Sequence, residues 1–175
     1  TLLSRAAWID GVGIAVKYVT VMPDNVSRGL PSVHGALVLF EDQTGQVEAI
    51  IDSALVTKWK TAADSVLGAR LLARPDSQRL LIVGAGTVAA SMIEAYTAVF
   101  PEIEITVWAR NKSQAETLGV RVADDLEAAV READIICCAT MAKQPVIKGE
   151  WLQVGQHLDL IGAFKPDMRE VDDMA

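Results

Sequence analysis

The stretch Arg79-Leu-Leu-Ile-Val-Gly84-Ala85-Gly86-Thr87-Val88-Ala89-Ala90 decides the fold, because an apolar strand runs into a glycine turn and then into a helix-forming segment. Gly84 permits a tight turn, Gly86 has no side chain to hold a phosphate away from the backbone, and Ala89 lets the helix pack closely on the strand. The N-terminus of that helix offers free N–H groups and a positive dipole end. The residues predicted to hold the pyrophosphate of a dinucleotide are Gly84, Ala85, Gly86, Thr87 and Val88.

After Ala90, strands and helices alternate as a doubly wound parallel sheet requires. The sequence predicts helices over 91–100, 113–118 and 125–133 and strands over 103–109, 134–139 and 156–162. The 134–139 strand is apolar rather than alternating, which is typical of a strand buried on both faces. Cys137 and Cys138 are adjacent on it, so we expect them on opposite faces in the core, without a disulfide or a metal. The predicted fold is α/β, with a Rossmann-type sheet.

The tip of the second strand reads Trp108-Ala109-Arg110-Asn111-Lys112-Ser113 and has no carboxylate. An NAD-binding domain usually has an Asp or Glu here, which binds the ribose 2′-hydroxyl and would repel a 2′-phosphate. A guanidinium is well shaped to bind a phosphate. We therefore expect Arg110, Asn111 and Lys112 to contact the cofactor and NADP(H) to be preferred, with NAD(H) as the alternative. The other interpretation is that Arg110 and Lys112 form a solvated loop.

Composition limits the function classes. The net charge of −7 and the absence of a basic stripe argue against a nucleic-acid surface. No apolar run is long enough to cross a bilayer and no leader is evident, so we expect a soluble, cytoplasmic protein without a membrane partner. With 2 histidines, a multi-histidine metal centre is excluded, and no metal site is predicted. Because the chain starts at Thr1 without a methionine and stops at Ala175, we expect it to be part of a longer protein.

Residues 1–52 differ in kind from the rest. Strand-like segments at 13–21 and 36–41 and a hairpin turn at 43–46 that leads into 47–51 predict an antiparallel or mixed sheet in a second domain. Between the two parts, apolar residues recur at helical spacing from Thr57 to Ala73, with Thr57 as the expected cap and Pro75 just beyond the end.

Five segments occur in an order that is more specific than the glycine turn alone. They are Val16-Lys17-Tyr18-Val19, Gly29-Leu30-Pro31-Ser32, Asp52 to Ala63, Gly84-Ala85-Gly86, and Gly162 to Glu170. Together they resemble the ornithine cyclodeaminase/mu-crystallin family over nearly the whole chain. The resemblance implies a homodimer in which each subunit has a Rossmann domain inserted into a substrate domain. It also implies hydride transfer between a nicotinamide and the α-carbon of a small amino or imino acid.

With this resemblance, the chain is predicted to comprise four parts. They are part of a mixed α+β substrate and dimerisation domain at 1–56, a connecting helix at 57–74, an NAD(P)-binding Rossmann domain at 75–163, and the start of the return to the substrate domain at 164–175.

The resemblance implies that Lys17 is the catalytic residue that holds the substrate carboxylate. Without the resemblance, an outward-facing strand lysine would be the preferred interpretation. Ser32 matches a position near the same carboxylate. Lys60 stands where many relatives have arginine, and an ammonium cannot bind a carboxylate in the bidentate manner of a guanidinium. Lys60 could instead pair with Asp64 on the exposed face of a helix.

Further positions are expected near the cofactor. Thr61 and Ser65 could reach the nicotinamide or a phosphate, unless they bond their own helix carbonyls. Thr140 follows the 134–139 strand, at the carboxyl edge of the sheet where ligands bind in such folds. It could also be a simple strand-ending residue. His34 could touch substrate, although a lone histidine is more often structural.

Phe164 separates the family's activities. Ornithine cyclodeaminases have an aspartate at the corresponding place, whereas phenylalanine can only pack and exclude water. The resemblance therefore implies an NADPH-dependent reductase of a cyclic α-imino acid, Δ1-pyrroline-2-carboxylate or Δ1-piperideine-2-carboxylate, with Phe164 at the substrate. Ornithine cyclodeaminase, alanine dehydrogenase and a non-catalytic dinucleotide-binding protein are the alternatives.

Overall fold

The computed structural model describes residues 1–175, apart from the side chain of Val26. The chain divides into two units, Thr1–Lys58 and Trp59–Ala175. The division lies close to the predicted boundary at residue 56. Residues 164–175, predicted to begin the return to the first domain, belong to the second unit. No helix among the described residues is both long enough and apolar enough to cross a membrane.

The first unit contains an antiparallel sheet of four strands in chain order. The strands are β1 (Leu2–Ile9), β2 (Gly13–Val21), β3 (Val33–Phe40) and β4 (Val47–Asp52), and a short 3-10 helix spans Pro23–Arg28. The predicted hairpin between β3 and β4 is confirmed. The sequence did not reveal β1, because its side chains are exposed throughout and show no alternating pattern. Its position is set by backbone pairing with β2.

Helix α1 (Ser53–Leu72) begins one turn earlier than predicted. The prediction that Thr57 caps this helix is wrong, because Asp52 precedes the first turn and its Oδ1 accepts a hydrogen bond from the N–H of Ala54 at 2.7 Å. Thr57 lies inside the helix, where its buried hydroxyl makes no hydrogen bond with the described residues.

The second unit contains a five-stranded sheet in the order β7-β6-β5-β8-β9, and every pair in it is parallel. Its strands are β5 (Arg79–Val83), β6 (Glu104–Trp108), β7 (Arg121–Val122), β8 (Ile135–Cys138) and β9 (His157–Leu160). Its helices after α1 are α2 (Thr87–Val99), α3 (Lys112–Glu116) and α4 (Leu126–Glu132), with a 3-10 turn at Gly149–Trp151. The strand order reverses between β5 and β8, as in a Rossmann fold, which confirms the predicted fold class.

Helix boundaries differ from the prediction for local reasons. Helix α2 starts directly after Gly86 rather than at Ser91. Asp125, predicted as the first residue of α4, is its cap instead, because its Oδ1 accepts from the N–H of Ala128 at 3.2 Å. Asn111 caps α3 in the same way by accepting from the N–H of Gln114.

Alternate residues of the central strands form the two cores of the parallel sheet. Leu80, Ile82 and Cys137 pack with α1 and α2 on one face, and Leu81, Val83 and Cys138 pack with α4 on the other. The two adjacent cysteines are therefore buried and on opposite faces, as predicted, and both are free thiols. Burial raises the pKa of the Cys137 thiol to about 12. Such a thiol stays protonated at neutral pH and serves as core packing.

The amino end of the parallel sheet is held by Asp134, which is 6% exposed. Its carboxylate accepts from the Arg74 guanidinium at 2.8 Å and from the N–H groups of Gln78 and Arg79 at 3.0 Å. Burial raises the pKa of Asp134, but these N–H groups and the Arg79 guanidinium outweigh it and hold the pKa below its ordinary value. Asp134 therefore joins the segment before β5 to the start of β8.

Replacing Asp134 with Asn should lower the free energy of unfolding by about 1 to 3 kcal/mol at neutral pH, because buried N–H groups lose an ionised acceptor. Urea unfolding measures the change. Asp76→Asn is the matched control, because Asp76 is 78% exposed and lies 3.8 Å from the same Arg74. The control should cost less than about 1 kcal/mol.

The difference in unfolding free energy between the wild type and Asp134→Asn should also depend on pH. Because the pKa of Asp134 is lower in the folded state, its stabilisation is complete above the unfolded pKa of about 4 and is lost as pH falls through the folded value. The difference in unfolding free energy between wild type and Asp134→Asn should therefore narrow below about pH 4. A difference that stays constant to about pH 2 would contradict the assignment.

Candidate functional site

The glycine turn after β5 lies where the strand order reverses. Gly84 has a φ of +129°, and a Cβ on it would lie 2.6 Å from the carbonyl oxygen of Ala139. Its N–H donates to the carbonyl of Trp108 at 2.8 Å. Position 84 therefore requires glycine, because the chain must pass between the ends of β6 and β8.

Gly86 is constrained differently, and its surroundings fit a phosphate. A Cβ there would meet nothing within 4 Å, so the space beside its backbone is open. Helix α2 begins at this point with no side-chain cap on Gly86. The first N–H groups of the helix lack helical partners and carry the positive end of the dipole. This open, uncapped helix start has room for an anion against its backbone.

The tip of β6 carries the predicted 2′-phosphate contacts. Arg110 is exposed and has no ion-pair partner among the described residues. Lys112 is already paired, because its Nζ lies 2.5 Å from Asp124 Oδ1. The hydrogen bond and charge of Asp124 raise the pKa of Lys112. Asp124, which the sequence analysis did not single out, thus brings a carboxylate to this tip from the loop after β7.

A further contact that the sequence did not reveal links this tip to the glycine turn. Gln114 Nε2 donates to the carbonyl of Ala85 at 2.9 Å. The Asn111 side-chain oxygen accepts from the Ser113 hydroxyl at 2.7 Å, so the cap of α3 uses that oxygen. Only the amide nitrogen of Asn111 is left for a ligand.

Contacts with β9 set the direction of α1 in the second unit. Ser65 donates to Asp159, and a Cβ on Gly68 would lie 3.8 Å from His157 Nε2. The helix therefore runs antiparallel to β9, and residues before Ser65 lie toward the carboxyl edge of the sheet. Thr61, about 6 Å earlier along the helix, therefore lies toward that edge, and its contact with a cofactor stays a prediction.

Ser65 itself lies in the core, 1% exposed, rather than at the ligand edge. Its hydroxyl lies 3.2 Å from Tyr96 Oη and 3.4 Å from Cys137 Sγ, in addition to the bond to Asp159. Burial raises the pKa of Tyr96, so its hydroxyl stays protonated as a hydrogen-bond donor. This buried polar cluster attaches α1 to α2, β8 and β9.

Lys60 forms the alternative contact considered from the sequence. It is about half exposed and pairs with Asp64 four residues on. Its assignment as a substrate ligand stays a prediction that requires this exposed pair to open.

The carboxyl ends of β8 and β9 are joined by Glu170, which is 2% exposed. Glu170 Oε1 accepts from the N–H and the hydroxyl of Thr140 at 2.8 and 2.7 Å, and Oε2 accepts from the N–H of Gly162 at 2.9 Å. The Thr140 hydroxyl oxygen also accepts from the N–H of Ala142 at 3.3 Å. Thr140 therefore reaches the predicted edge with its hydroxyl proton already donated.

Phe164 follows in the turn after β9 and is 38% exposed. Lys165 Nζ lies 5.7 Å from the centre of its ring. The carboxylate of Asp167, in the same turn, pairs with Lys143 at 2.9 Å, which lowers the pKa of Asp167. The turn therefore presents an aromatic ring, and the carboxylate of Asp167 is paired with Lys143.

In the first unit, Lys17 lies on the more buried face of the antiparallel sheet. It shares that face of β2 with Val19 and Val21, which are 7% and 6% exposed. The outward-facing interpretation of Lys17 is thus not supported. His34 pairs with Thr20 across β2 and β3, on the opposite face from Lys17. Ser32, just before β3, is half-buried, and its carbonyl accepts from the N–H of Met22 at 2.7 Å.

The predicted residues therefore fall into two groups. The second unit gathers the glycine turn, Arg110, Thr61, Thr140 and Phe164 at or beyond the carboxyl edge of one parallel sheet. Lys17 and Ser32 belong to the first unit. Within the described part of the chain, no three His, Cys, Asp or Glu side chains are arranged to hold a metal ion.

Comparisons with known proteins agree with this geometry. The chain is 57% identical, over 99% of its length, to a protein of Paracoccus denitrificans named Delta(1)-pyrroline-2-carboxylate reductase, and it spans 58% of that relative. It is similar to a solved Delta(1)-pyrroline-2-carboxylate reductase of Thermococcus litoralis in complex with NADH and L-proline. That match has 28% identity and a TM-score of 0.82 and covers 99% of this chain and 62% of the other.

An archaeal alanine dehydrogenase dimer with bound NAD also matches, with 30% identity and a TM-score of 0.89, over 98% of this chain and 55% of that one. Residues 9–175 match the model of the ornithine cyclodeaminase/mu-crystallin family. The chain spans little more than half the length of its curated relatives. On this match and the 57% identity, the chain belongs to the ornithine cyclodeaminase/mu-crystallin family.

Proposed function

We propose that the protein is a nicotinamide-dinucleotide-dependent reductase of a small cyclic α-imino acid, Δ1-pyrroline-2-carboxylate or Δ1-piperideine-2-carboxylate, which yields proline or pipecolate. The observation that carries the proposal is the 57% identity, over 99% of the chain, to the Paracoccus denitrificans reductase. The open helix start at Gly86 and the aromatic turn at Phe164 support it independently.

The residues of the second unit fit a dinucleotide. The turn from Gly84 to Val88 and the start of α2 would hold the pyrophosphate. Arg110, Asn111 and Lys112 would face the adenosine ribose, while Thr61 and Thr140 would face the nicotinamide. We propose that NADP(H) is preferred, because Arg110 offers a guanidinium that has no competing ion pair within the described part of the chain, and that NAD(H) also binds.

The reaction requires little acid–base chemistry from the protein. When bound, the reduced cofactor supplies the hydride. A cyclic imine protonated on nitrogen is already electrophilic, so the protein mainly orients the substrate and excludes water. In this proposal, Lys17 binds the substrate carboxylate with Ser32 beside it, Phe164 covers the reacting carbon, and Lys60 provides a second cation when its pair with Asp64 opens.

Phe164 and its neighbours favour a reductase over a cyclodeaminase. A cyclodeaminase must handle the substrate's amino groups, which calls for a carboxylate that can hold an ammonium or a proton. The 162–167 turn offers an aromatic ring, and Asp167 is bound to Lys143.

An assay of reduced-dinucleotide oxidation with both cyclic imines, with pyruvate plus ammonia, and with ornithine tests the proposal. We expect turnover with a cyclic imine and little ammonia from ornithine. Robust conversion of ornithine to proline with ammonia released in step would replace the proposal with a cyclodeaminase. Reduction of pyruvate plus ammonia alone would indicate an alanine dehydrogenase, and dinucleotide binding without turnover would indicate a binding protein.

We also propose that the protein is a cytoplasmic homodimer. Apolar side chains exposed on the first unit support the dimer, among them Trp8 at 65%, Ile9 at 59% and Ile50 at 73%. The alanine dehydrogenase relative is described as a dimer. Sedimentation of the purified protein tests the oligomeric state.

The two glycines of the turn should respond differently to alanine. Gly86→Ala should fold normally, because its Cβ meets open space, but the methyl group should weaken dinucleotide binding about tenfold or more by displacing the phosphate. Gly84→Ala should lose about 1 to 3 kcal/mol of stability from backbone strain. Urea unfolding and dinucleotide titration separate the two effects. Normal dinucleotide affinity in Gly86→Ala would place the phosphates elsewhere.

Cofactor preference should depend on Arg110. Arg110→Ala should weaken NADPH binding by about 1.5 to 3 kcal/mol, the scale of a hydrogen bond to a charged group, with little change for NADH. Asp124→Asn is the companion variant, because it frees Lys112 from its ion pair and should tighten NADPH binding. Titration of both dinucleotides measures the changes. An equal loss for NADPH and NADH in Arg110→Ala would remove Arg110 from the 2′-phosphate site.

Lys17→Met keeps the aliphatic stem and removes the charge. The fold should survive, and kcat/KM for the imine should fall about a hundredfold, as for a lost charged contact of ~3 kcal/mol. Lys148→Met is the control, because Lys148 is exposed and pairs only loosely with Glu150 at 3.5 Å. Steady-state kinetics decide, and wild-type kcat/KM in Lys17→Met would exclude a substrate contact.

A further inference from the structure

The Glu170 carboxylate is buried, and no cation of the described residues is bonded to it. Its three hydrogen bonds all come from neutral donors, the N–H and hydroxyl of Thr140 and the N–H of Gly162. These donors belong to two different loops, one after β8 and one after β9. Through these hydrogen bonds, the Glu170 side chain links the loops that follow two neighbouring parallel strands.

The backbone around Glu170 is fixed as well. Its carbonyl accepts from the N–H groups of Val146 and Ile147 at 2.8 and 3.1 Å. Ile147 also forms a parallel bridge with Val171. The carboxylate thus extends from a segment anchored on the loop after β8, and it has little freedom to move away from Thr140 and Gly162.

The loops after β8 and β9 are in close contact at Gly162. A Cβ at this position would overlap the Thr140 carbonyl oxygen and Glu170 Oε1. The two loops approach so closely that a shift of one displaces the other. Phe164 lies two residues after Gly162, so its position depends on the same contact.

In a doubly wound fold each half of the sheet binds one nucleotide of the dinucleotide, across the point where the strand order reverses. The half with β5 and β6 carries the glycine turn and Arg110, which would face the phosphates and the adenosine ribose of a bound dinucleotide. The ends of β8 and β9 therefore belong to the nicotinamide half.

We propose that Glu170 is a positioning residue for the nicotinamide half of the site, acting through Thr140 and through the turn that carries Phe164. The proposal rests on the proposed dinucleotide-dependent function. A carboxylate suits this role because its two oxygens accept from all three donors. A glutamine has one acceptor oxygen, and its NH₂ would face an N–H or O–H donor.

Glu170→Gln therefore tests the proposal without changing the size of the side chain. The probes are NADPH and NADH, together with ADP-ribose and its 2′-phosphate, which lack the nicotinamide. We expect affinity for the reduced dinucleotides to fall about tenfold, while affinity for the two fragments changes less than about twofold. Glu150→Gln makes the same change on an exposed side chain and should alter neither.

Thr140→Val is the second variant and carries the test if Glu170→Gln does not fold. It removes only the hydroxyl donor, so it should weaken dinucleotide binding less, and again without affecting the fragments. With a dinucleotide deuterated at C4, the primary isotope effect on imine reduction should increase in both variants, because a misplaced ring slows hydride transfer. A merely structural role would lower stability and leave the isotope effect unchanged.

Equal losses for dinucleotides and fragments, or no loss for either, would overturn the positioning role while leaving the reductase proposal intact. Glu170→Gln could lose affinity for the dinucleotides alone while the wild-type protein reduces no imine. That result would support the positioning role and reject the proposed reaction. A wild-type protein that binds neither NADPH nor NADH would overturn both.

Discussion

At Gly84 the backbone passes between the ends of two neighbouring strands. The arrangement of residues at the carboxyl edge of the parallel sheet depends on this constraint. The chain leaves β5 in a conformation that L side chains rarely adopt, and the carbonyl of Ala139 occupies the space a Cβ would need. Helix α2 can then start immediately, with Gly86 uncapped in open space. The open helix start, the tip of β6 and the ends of β8 and β9 lie at one edge because all the strands of this sheet are parallel. The turn at Gly84 determines where α2 begins on that edge.

Features determined by neighbours in the chain could be predicted from the sequence. The strand–turn–helix pattern around Gly84, the placement of Cys137 and Cys138 on opposite faces, and the Lys60–Asp64 pair all involve residues within a few positions of one another. Periodicity and spacing contain that information.

Contacts between distant positions could not be predicted, because their pattern exists only after folding. Glu170 meets Thr140 across thirty positions of chain, and Ser65 meets Asp159 across ninety-four. The early start of α1 was missed because apolar periodicity indicates the buried face of a helix and not the residue that caps it. The face of Lys17 required knowledge of which side of β2 is covered, which a single strand does not contain.

The residues at the two ends of strand β8 make different kinds of contact. At its start, Asp134 binds arginine side chains and backbone N–H groups that hold the sheet together. Just past its end, the N–H and hydroxyl of Thr140 donate to the Glu170 carboxylate at the carboxyl edge of the sheet. The two ends share no hydrogen-bond partner among the described residues, so substitutions at one should combine additively with substitutions at the other. Residues at one end of the strand can therefore vary in evolution while the other end supplies a stable background that tolerates the change.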